Sequence, residues 1–338
     1  MAYKIIVAGC GGMSDQWIEI AKARDDCEIV AFVDINNEAA NKRKQKHSLQ
    51  AKIYTNVSEA LEKETANLLF DVTVPEAHFE VVTTALKAGC HVFGEKPMSD
   101  SLENAEKMVS CAIETNREYF VMQNRRYLSG LVTLKNFLQS CKLGKIGQIS
   151  ANFQLGPHFG GFREKMDSPL IADMAIHTFD TARFITGKDA VSVYTHEFNP
   201  SWSWYKGNAS AVCIFEMEDG SVFDYRGSWC ANGLNTSWES EWRVSCENGA
   251  VFCDGAKKLY YEFVGGANRT PSAIEEIPLM QMQLEGHQAC VKEMFDALIN
   301  GKKAQTDCCD NINSIRMVYK AIESAKAKKK LALASTNN

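Results

Sequence analysis

No uninterrupted apolar run in this sequence approaches the roughly eighteen residues that a membrane helix needs, so a bilayer is not expected to be its solvent. No hydrophobic leader precedes the first strand-like run at Lys4, which points to a cytoplasmic protein. The twelve cysteines include no CxxC pair, and Cys90 and Cys213 sit inside apolar runs as small hydrophobes. Reduced thiols are therefore expected, without a disulfide framework, and the adjacent Cys308 and Cys309 lack metal-ligand spacing. Positive charge is not in excess. The net charge is −5, and the short basic runs Lys42 to Lys46 and Lys326 to Lys330 read as solvated helix faces, which leaves no footprint for nucleic acid. Internal repeats and low-complexity tracts are missing as well.

What the sequence does have begins at Lys4 to Ser14, KIIVAGCGGMS. Ile5, Ile6, Val7 and Ala8 suit a strand buried on both faces, and Gly9, Gly11 and Gly12 then turn the chain into a helix over Asp15 to Arg24. A strand entering a glycine turn and a helix N-terminus is a phosphate cradle. Gly9 permits the tight turn, Gly11 and Gly12 let backbone approach a pyrophosphate, and free N–H groups favour the anion. Met13 and Ser14 close the loop; Ser14 stands where glycine or alanine is preferred, yet is small, and its hydroxyl can reach a phosphate. A second buried run, Glu28 to Asp34, ends in a carboxylate about twenty residues past the loop, as ribose recognition requires. Asp34, with Ile35 beside it, is read as the ligand of an adenosine ribose; its alternative is the N-cap of a helix over Asn36 to His47.

At 338 residues and 45% hydrophobic, two domains are expected. Strands then alternate with helices: Ala51 to Tyr54, Ser58 to Glu64, Leu68 to Val74, Ala77 to Ala88, Cys90 to Phe93, Leu102 to Thr115 and Tyr119 to Met122. Alternation of this kind predicts a doubly wound parallel sheet over 1–123, a Rossmann domain. Its strand carboxyl ends bring Thr73, Val74, Pro75, Glu95 and Lys96 to the cofactor side. His78, one turn into the helix after Pro75, points the same way or is a partly exposed helix residue. Lys96 lies between an apolar strand and Pro97, so its ammonium is held in one place.

From Gly144 the pattern changes to hairpins: Ala209 to Met217 with Ser221 to Trp229, and Glu241 to Glu247 with Ala250 to Asp254. Residues 124–338 therefore read as an α+β domain with a large mixed, mostly antiparallel sheet. Its aromatic load favours a partner subunit on one face, hence a homodimer or homotetramer. The Trp202, Ser203, Trp204, Tyr205 cluster stacks on a sugar or packs the interface. Two helices close the chain, Met282 to Asn300 and Asp310 to Lys329.

Ser168 to Gly187 reads as a helix that places Asp173, His177 and Asp180 on one stripe among apolar residues. Buried without partners, such a stripe would cost roughly a few kcal/mol per group, so it faces a cavity, a ligand or dedicated partners. A structural network and a metal site are the alternatives, though no other helix offers a matching His or carboxylate pair. Asp180 reads as the structural member. His158 and Arg163, in the glycine-bearing insert Gly156 to Asp167, are substrate clamps or part of a solvated loop. Asn124, Arg125 and Tyr127 follow the last parallel strand and are read as lining the same cleft.

The GCGGMS loop with Asp34, the Glu95-Lys96-Pro97 signature after a strand, and the D-x-x-x-H-x-x-D helix together resemble the Gfo/Idh/MocA family of NAD(P)-dependent oxidoreductases. The resemblance covers nearly the whole chain. It implies that Lys96 touches nicotinamide ribose and substrate oxygen, and that Asp173 and His177 complete the catalytic set. Apart from the resemblance, the residues' own placement puts Asn124 on the cofactor side and Tyr127 on the substrate side, with His158 and Arg163 there too unless they form a solvated loop. The expected reaction is hydride transfer between NAD, or NADP, and a secondary alcohol of a sugar, inositol or glycoside.

The residues agree with that chemistry. Alcohol oxidation needs a base for the hydroxyl proton and donors to hold the oxygen as charge develops. An imidazole such as His177 suits the base, Lys96 the alkoxide-like oxygen, and Asp173 the orientation of a hydroxyl or of the imidazole. Two rivals stay open: cleavage of a glycoside through transient oxidation, and a non-enzymatic sensor, which has no need of all three residues. A carboxylate at Asp34 with no arginine directly after it predicts NAD over NADP, unless Lys42 or Arg43 reaches back.

Overall fold

The computed structural model describes residues 3–265 and 268–333. The chain divides into two units: residues up to Gln123 with His287–Ile315, and Asn124–Gly286 with Arg316 onward. The second domain is thus not the contiguous 124–338 expected from sequence. Phe295 packs against the rings of Tyr3, Phe70 and Phe93, and residues 287–315 group with the first unit.

In the first unit β1 (Tyr3–Ala8), α1 (Ser14–Lys22), β2 (Cys27–Val33), α2 (Asn37–Lys46), β3 (Lys52–Tyr54), α3 (Val57–Lys63), β4 (Leu68–Asp71), α4 (Pro75–Lys87), β5 (His91–Gly94), α5 (Leu102–Thr115) and β6 (Tyr119–Val121) alternate. The sheet is six-stranded in the order β3-β2-β1-β4-β5-β6, all parallel. Chain reversal of strand order at β1/β4 leaves a crevice at the strand carboxyl ends, where open α/β sheets bind ligands. Helix starts follow side-chain chemistry: Asn36, Asn56 and Ser101 each accept N–H bonds as the N-caps of α2, α3 and α5. One core layer stacks Phe70, Phe93 and Phe120 at centroid spacings of 5.8 and 5.6 Å, with Trp17 closing one end.

The second unit contains α6 (Ser129–Gln139), β7 (Ile146–Gln154), α7 (Ile176–Thr186), β8 (Ala190–Phe198), β9 (Ser210–Met217), β10 (Val222–Ser228), β11 (Glu241–Cys246), β12 (Gly249–Cys253) and β13 (Leu259–Gly265). The last helices of the chain are α8 (Gly286–Ile299) and α9 (Cys308–Ala327). The second sheet is ten-stranded; β7 and β10 run parallel and their other pairings are antiparallel. Burial alternates residue by residue along β9 from Ala211 on, which separates its faces. The inner face packs on α7, where Phe179 meets Phe215 and Tyr225 edge-on at 4.9 and 5.3 Å. The outer face of β8 and β9 exposes Tyr194, Phe198, Val212 and Ile214. No helix among the described residues is long and apolar enough to cross a membrane.

Candidate active site

The glycine loop of the first unit fits a dinucleotide. Gly9 has φ +87°, and a Cβ there would overlap the Val72 carbonyl and the Thr73 amide, so only glycine makes this turn. At Gly11 and Gly12 a Cβ would meet nothing within 4 Å, so backbone there opens to an approaching phosphate. Met13 is exposed at the helix start. Ser14 is fully buried, and its hydroxyl donates to the Gly11 carbonyl at 2.7 Å while accepting from Arg43. This corrects the expectation that the hydroxyl reaches a phosphate: closing the loop uses it.

Asp34 ends β2 beside the loop. One carboxylate oxygen accepts from the Cys10 amide at 2.7 Å and the other from the Asn36 amide at 2.8 Å. It is not the cap of α2, which is Asn36. Each oxygen keeps accepting capacity for a ribose hydroxyl, and Ile35 stands 95% exposed next to it. Arg43 does reach back from α2, but to the Gly11 carbonyl, at 2.9 Å, and to Asp15, at 3.3 Å.

At the end of β4, Asp71 is buried and accepts from the Thr73 hydroxyl at 2.6 Å and from His78 Nδ1 at 2.6 Å. His78 is therefore neither a partly exposed helix residue nor free at the surface. Burial opposes its charge, but Asp71 outweighs burial, with Glu95 and Glu76 adding to it, and the imidazole pKa is raised. The pair holds Thr73, which precedes exposed Val74 and Pro75, the first residue of α4. Glu95 also faces inward, taking a bond from Trp17 Nε1 at 2.8 Å and one from the Lys96 amide at 3.2 Å. Lys96 is half-buried at this strand end. Sequence reasoning missed His287, in the first turn of α8. Its pKa is lowered by burial and further by Lys96, against an opposite pull from Glu95. Only the fold brings a residue so far along the chain to this pair.

In the second unit the helix that carries Asp173 and His177 departs from expectation. Leu170–Ala175 is a π-helical turn that passes into α7 at Ile176. Asp173 and His177 therefore flank a π-to-α junction and do not share the stripe of one regular α-helix; such junctions re-aim side chains at functional sites. Both are buried. Asp173 accepts from Arg163 Nε at 2.7 Å, which brings the insert directly to the helix. Asp180 is held by a bidentate pair with Arg126, at 2.7 and 2.6 Å, both side chains buried, as its structural reading requires.

Asn124 is half-buried, whereas Tyr127 and Arg125 are buried. Burial lowers the Arg125 pKa to about 10. His158 is exposed and stacks on Trp204 at 3.6 Å. Tyr205 stacks on Trp229 at 5.6 Å, and burial, then Asp173 and Glu164, push its hydroxyl up to about 12. Asp307, Cys308 and Cys309 bring ligand atoms within 4.8 Å of one another, but Asp307 accepts the Cys309 amide at the start of α9 and pairs with Lys303. Helix-start geometry accounts for that grouping.

A dinucleotide cradle on one unit and a buried carboxylate and imidazole at a helix junction on the other define an NAD-binding oxidoreductase. The family model described as an oxidoreductase family with an NAD-binding Rossmann fold matches residues 3–123, and the GFO/IDH/MocA C-terminal domain matches residues 131–252. The chain belongs to the Gfo/Idh/MocA oxidoreductase family. It is 25% identical to an uncharacterized protein of Sinorhizobium fredii, over 96% of this chain and 94% of that one. With the myo-inositol 2-dehydrogenase of Thermotoga maritima it shares 27% identity over 56% of this chain and 57% of the relative, little more than half of either. An oxidoreductase from Agrobacterium radiobacter, solved with NAD+, L-tartaric acid and magnesium, superposes with a TM-score of 0.86. That likeness spans 98% of this chain and 99% of the other at 19% identity, and is one of fold.

Proposed function

We propose that this protein is an NAD-dependent dehydrogenase of a secondary alcohol carried by a sugar, inositol or glycoside. The observation that carries the reading is the buried Asp173 and His177 at the π-to-α junction, in a chain whose other unit holds a dinucleotide cradle. Nicotinamide, when bound, supplies the hydride acceptor. Gly9, Gly11, Gly12 and Met13 seat the pyrophosphate on a loop that Ser14 closes, Asp34 and Ile35 seat the adenosine, and Thr73, Val74 and Pro75 line the strand ends, with His78 and Glu95 supporting them from beneath. Asn124 completes the cofactor side. His177 takes the hydroxyl proton, Lys96 donates to the oxygen as charge develops, and Asp173 orients a neighbouring hydroxyl. Arg163, His158 and Tyr127 belong to the substrate side. The inositol dehydrogenase relative supports a polyol substrate.

The exposed apolar face of β8 and β9 suits a second copy of the chain, and twelve free thiols suit the cytoplasm. A panel of inositols, aldoses and glycosides with NAD and with NADP, followed at the nicotinamide absorbance band, tests the reading. Reduction of NAD by at least one class is expected, and silence across the panel would overturn it. Net turnover of free NAD excludes glycoside cleavage by transient oxidation.

A further inference from the structure

We infer that the insert Gly156 to Asp167 builds a second sugar subsite, so that the preferred substrate is a glycoside and not a free monosaccharide or inositol. The inference rests on the dehydrogenase reading and adds the substrate class.

The insert is a fixed part of the second unit. A Cβ at Gly156 would overlap the Ala231 carbonyl, and one at Gly207 would overlap the Asp167 and Met166 carbonyls, so both ends lie against backbone. Between them the Lys206 amide donates to Glu164 O and the Asn208 amide to Asp167 O, each at 2.8 Å, and His158 stacks on Trp204. The Trp202 to Tyr205 cluster is therefore the wall that the insert leans on.

On that support stand partly exposed rings. Phe159 is 57% exposed, Phe162 45% and Trp238 40%. Phe159 and Trp238 lie 6.0 Å apart and 30° from parallel, which makes a continuous apolar ledge. Single exposed aromatics need no explanation, but contiguous ones held in register mark a binding surface. The carbon–hydrogen face of a pyranose is the apolar surface that such a ledge matches.

Arg163 connects the ledge to the reacting group. Its guanidinium carbon lies 4.6 Å from the Phe162 ring centroid and 6.0 Å from that of Phe159, while its Nε donates to Asp173 at 2.7 Å. Among the described residues no other bond is made by this guanidinium, so its Nη donors are open to hydroxyls. A sugar with a hydroxyl at Asp173 is thus linked to the ledge through the single Arg163 side chain. Free monosaccharides and inositols leave the ledge empty, whereas a glycoside places its second ring or aglycone on it.

Initial rates with NAD on maltose, cellobiose, lactose and methyl glycosides, against glucose, galactose and myo-inositol, test this, using wild type and Phe159→Ala. Phe159 is exposed, so its truncation spares folding. At least one glycoside is expected to exceed its free sugar about tenfold in kcat/KM. Phe159→Ala should remove that factor through KM, with kcat and the free-sugar rates unchanged. Trp238→Ala should act in the same direction. Free sugars used as well as glycosides, or a Phe159→Ala enzyme with unaltered glycoside KM, would overturn the inference and leave the dehydrogenase reading standing. Unaltered kinetics with loss of an oligomer in sedimentation would assign the ledge to a second copy of the chain. No turnover of any sugar would overturn both readings.

Discussion

The two units arrange their chemistry in opposite ways. In the first, the proposed cofactor cradle is mostly backbone, and it comes from one contiguous stretch, Gly9 to Ser14, closed onto Asp34 through the Cys10 amide. In the second, the proposed substrate side is built of side chains, and they come from segments far apart: Arg163 on Asp173, His158 on Trp204, Phe159 on Trp238. A cofactor shared by a whole family suits backbone recognition, which tolerates little change. A substrate that differs between members suits side chains on an insert, where replacement leaves the fold intact.

Lys96 is the exception that sharpens the contrast, a side chain at the strand ends of the first unit to which the proposed reaction assigns a role. Were chemistry confined to the second unit, Lys96→Ala would be mild. We expect kcat to fall roughly hundredfold to thousandfold at every pH, as for a lost oxyanion donor, with NADH affinity retained; stopped-flow turnover and an NADH titration read the two. Gly9→Ala probes the backbone side. The added Cβ collides with the Val72 carbonyl, so NADH affinity should drop about a hundredfold in a fluorescence titration, and an unchanged Kd would remove backbone geometry from the account. Smaller is the effect at Asp34. Asp34→Ala should narrow the preference for NAD over NADP by about tenfold in kcat/KM, and comparable efficiency of the wild type with both cofactors would contradict the assignment of Asp34.

The smallest effect concerns support of the segment that leads into Asp173 and His177. Burial pushes the Glu197 carboxyl up to about 7, against the lowering by the Ser168 hydroxyl, which donates to it at 3.0 Å, and by Lys326. A carboxyl whose folded pKa is raised binds more protons in the folded state, so stability is lost as pH rises from its unfolded value, about 4.5, through 7. Glu197→Gln should remove this slope and raise Tm at pH 8 by roughly a few degrees, while changing little at pH 5. Thermal scans at the two pH values decide it, and parallel shifts at both would contradict the cause given.

The contrast also explains what was legible. Leu102–Thr115 is a helix over the predicted span, and the strand ends at Asp34 and Glu95 fall where hydrophobic runs stop, because propensity, capping and burial are local there. The parallel sheet was legible in the alternation of strands and helices, whereas its strand order was not. The π turn before Ile176 was not legible, since nothing in Leu170–Ala175 distinguishes it from an α-helix. Nor was the Arg163 pair with Asp173, or the approach of His287 to Glu95 and Lys96, which only the folded chain brings together. Asp180 was the opposite case: a carboxylate deep in an apolar helix demands a cation, and Arg126 supplies it.

The most direct test of this division is NADH binding and turnover measured on one preparation of His177→Ala. If the first unit binds cofactor and His177 exchanges the proton, NADH affinity stays within about twofold of wild type while kcat falls roughly a hundredfold or more, partly recovered at alkaline pH as solvent hydroxide substitutes. A His177→Ala enzyme with near wild-type kcat and an unshifted pH profile would contradict the account.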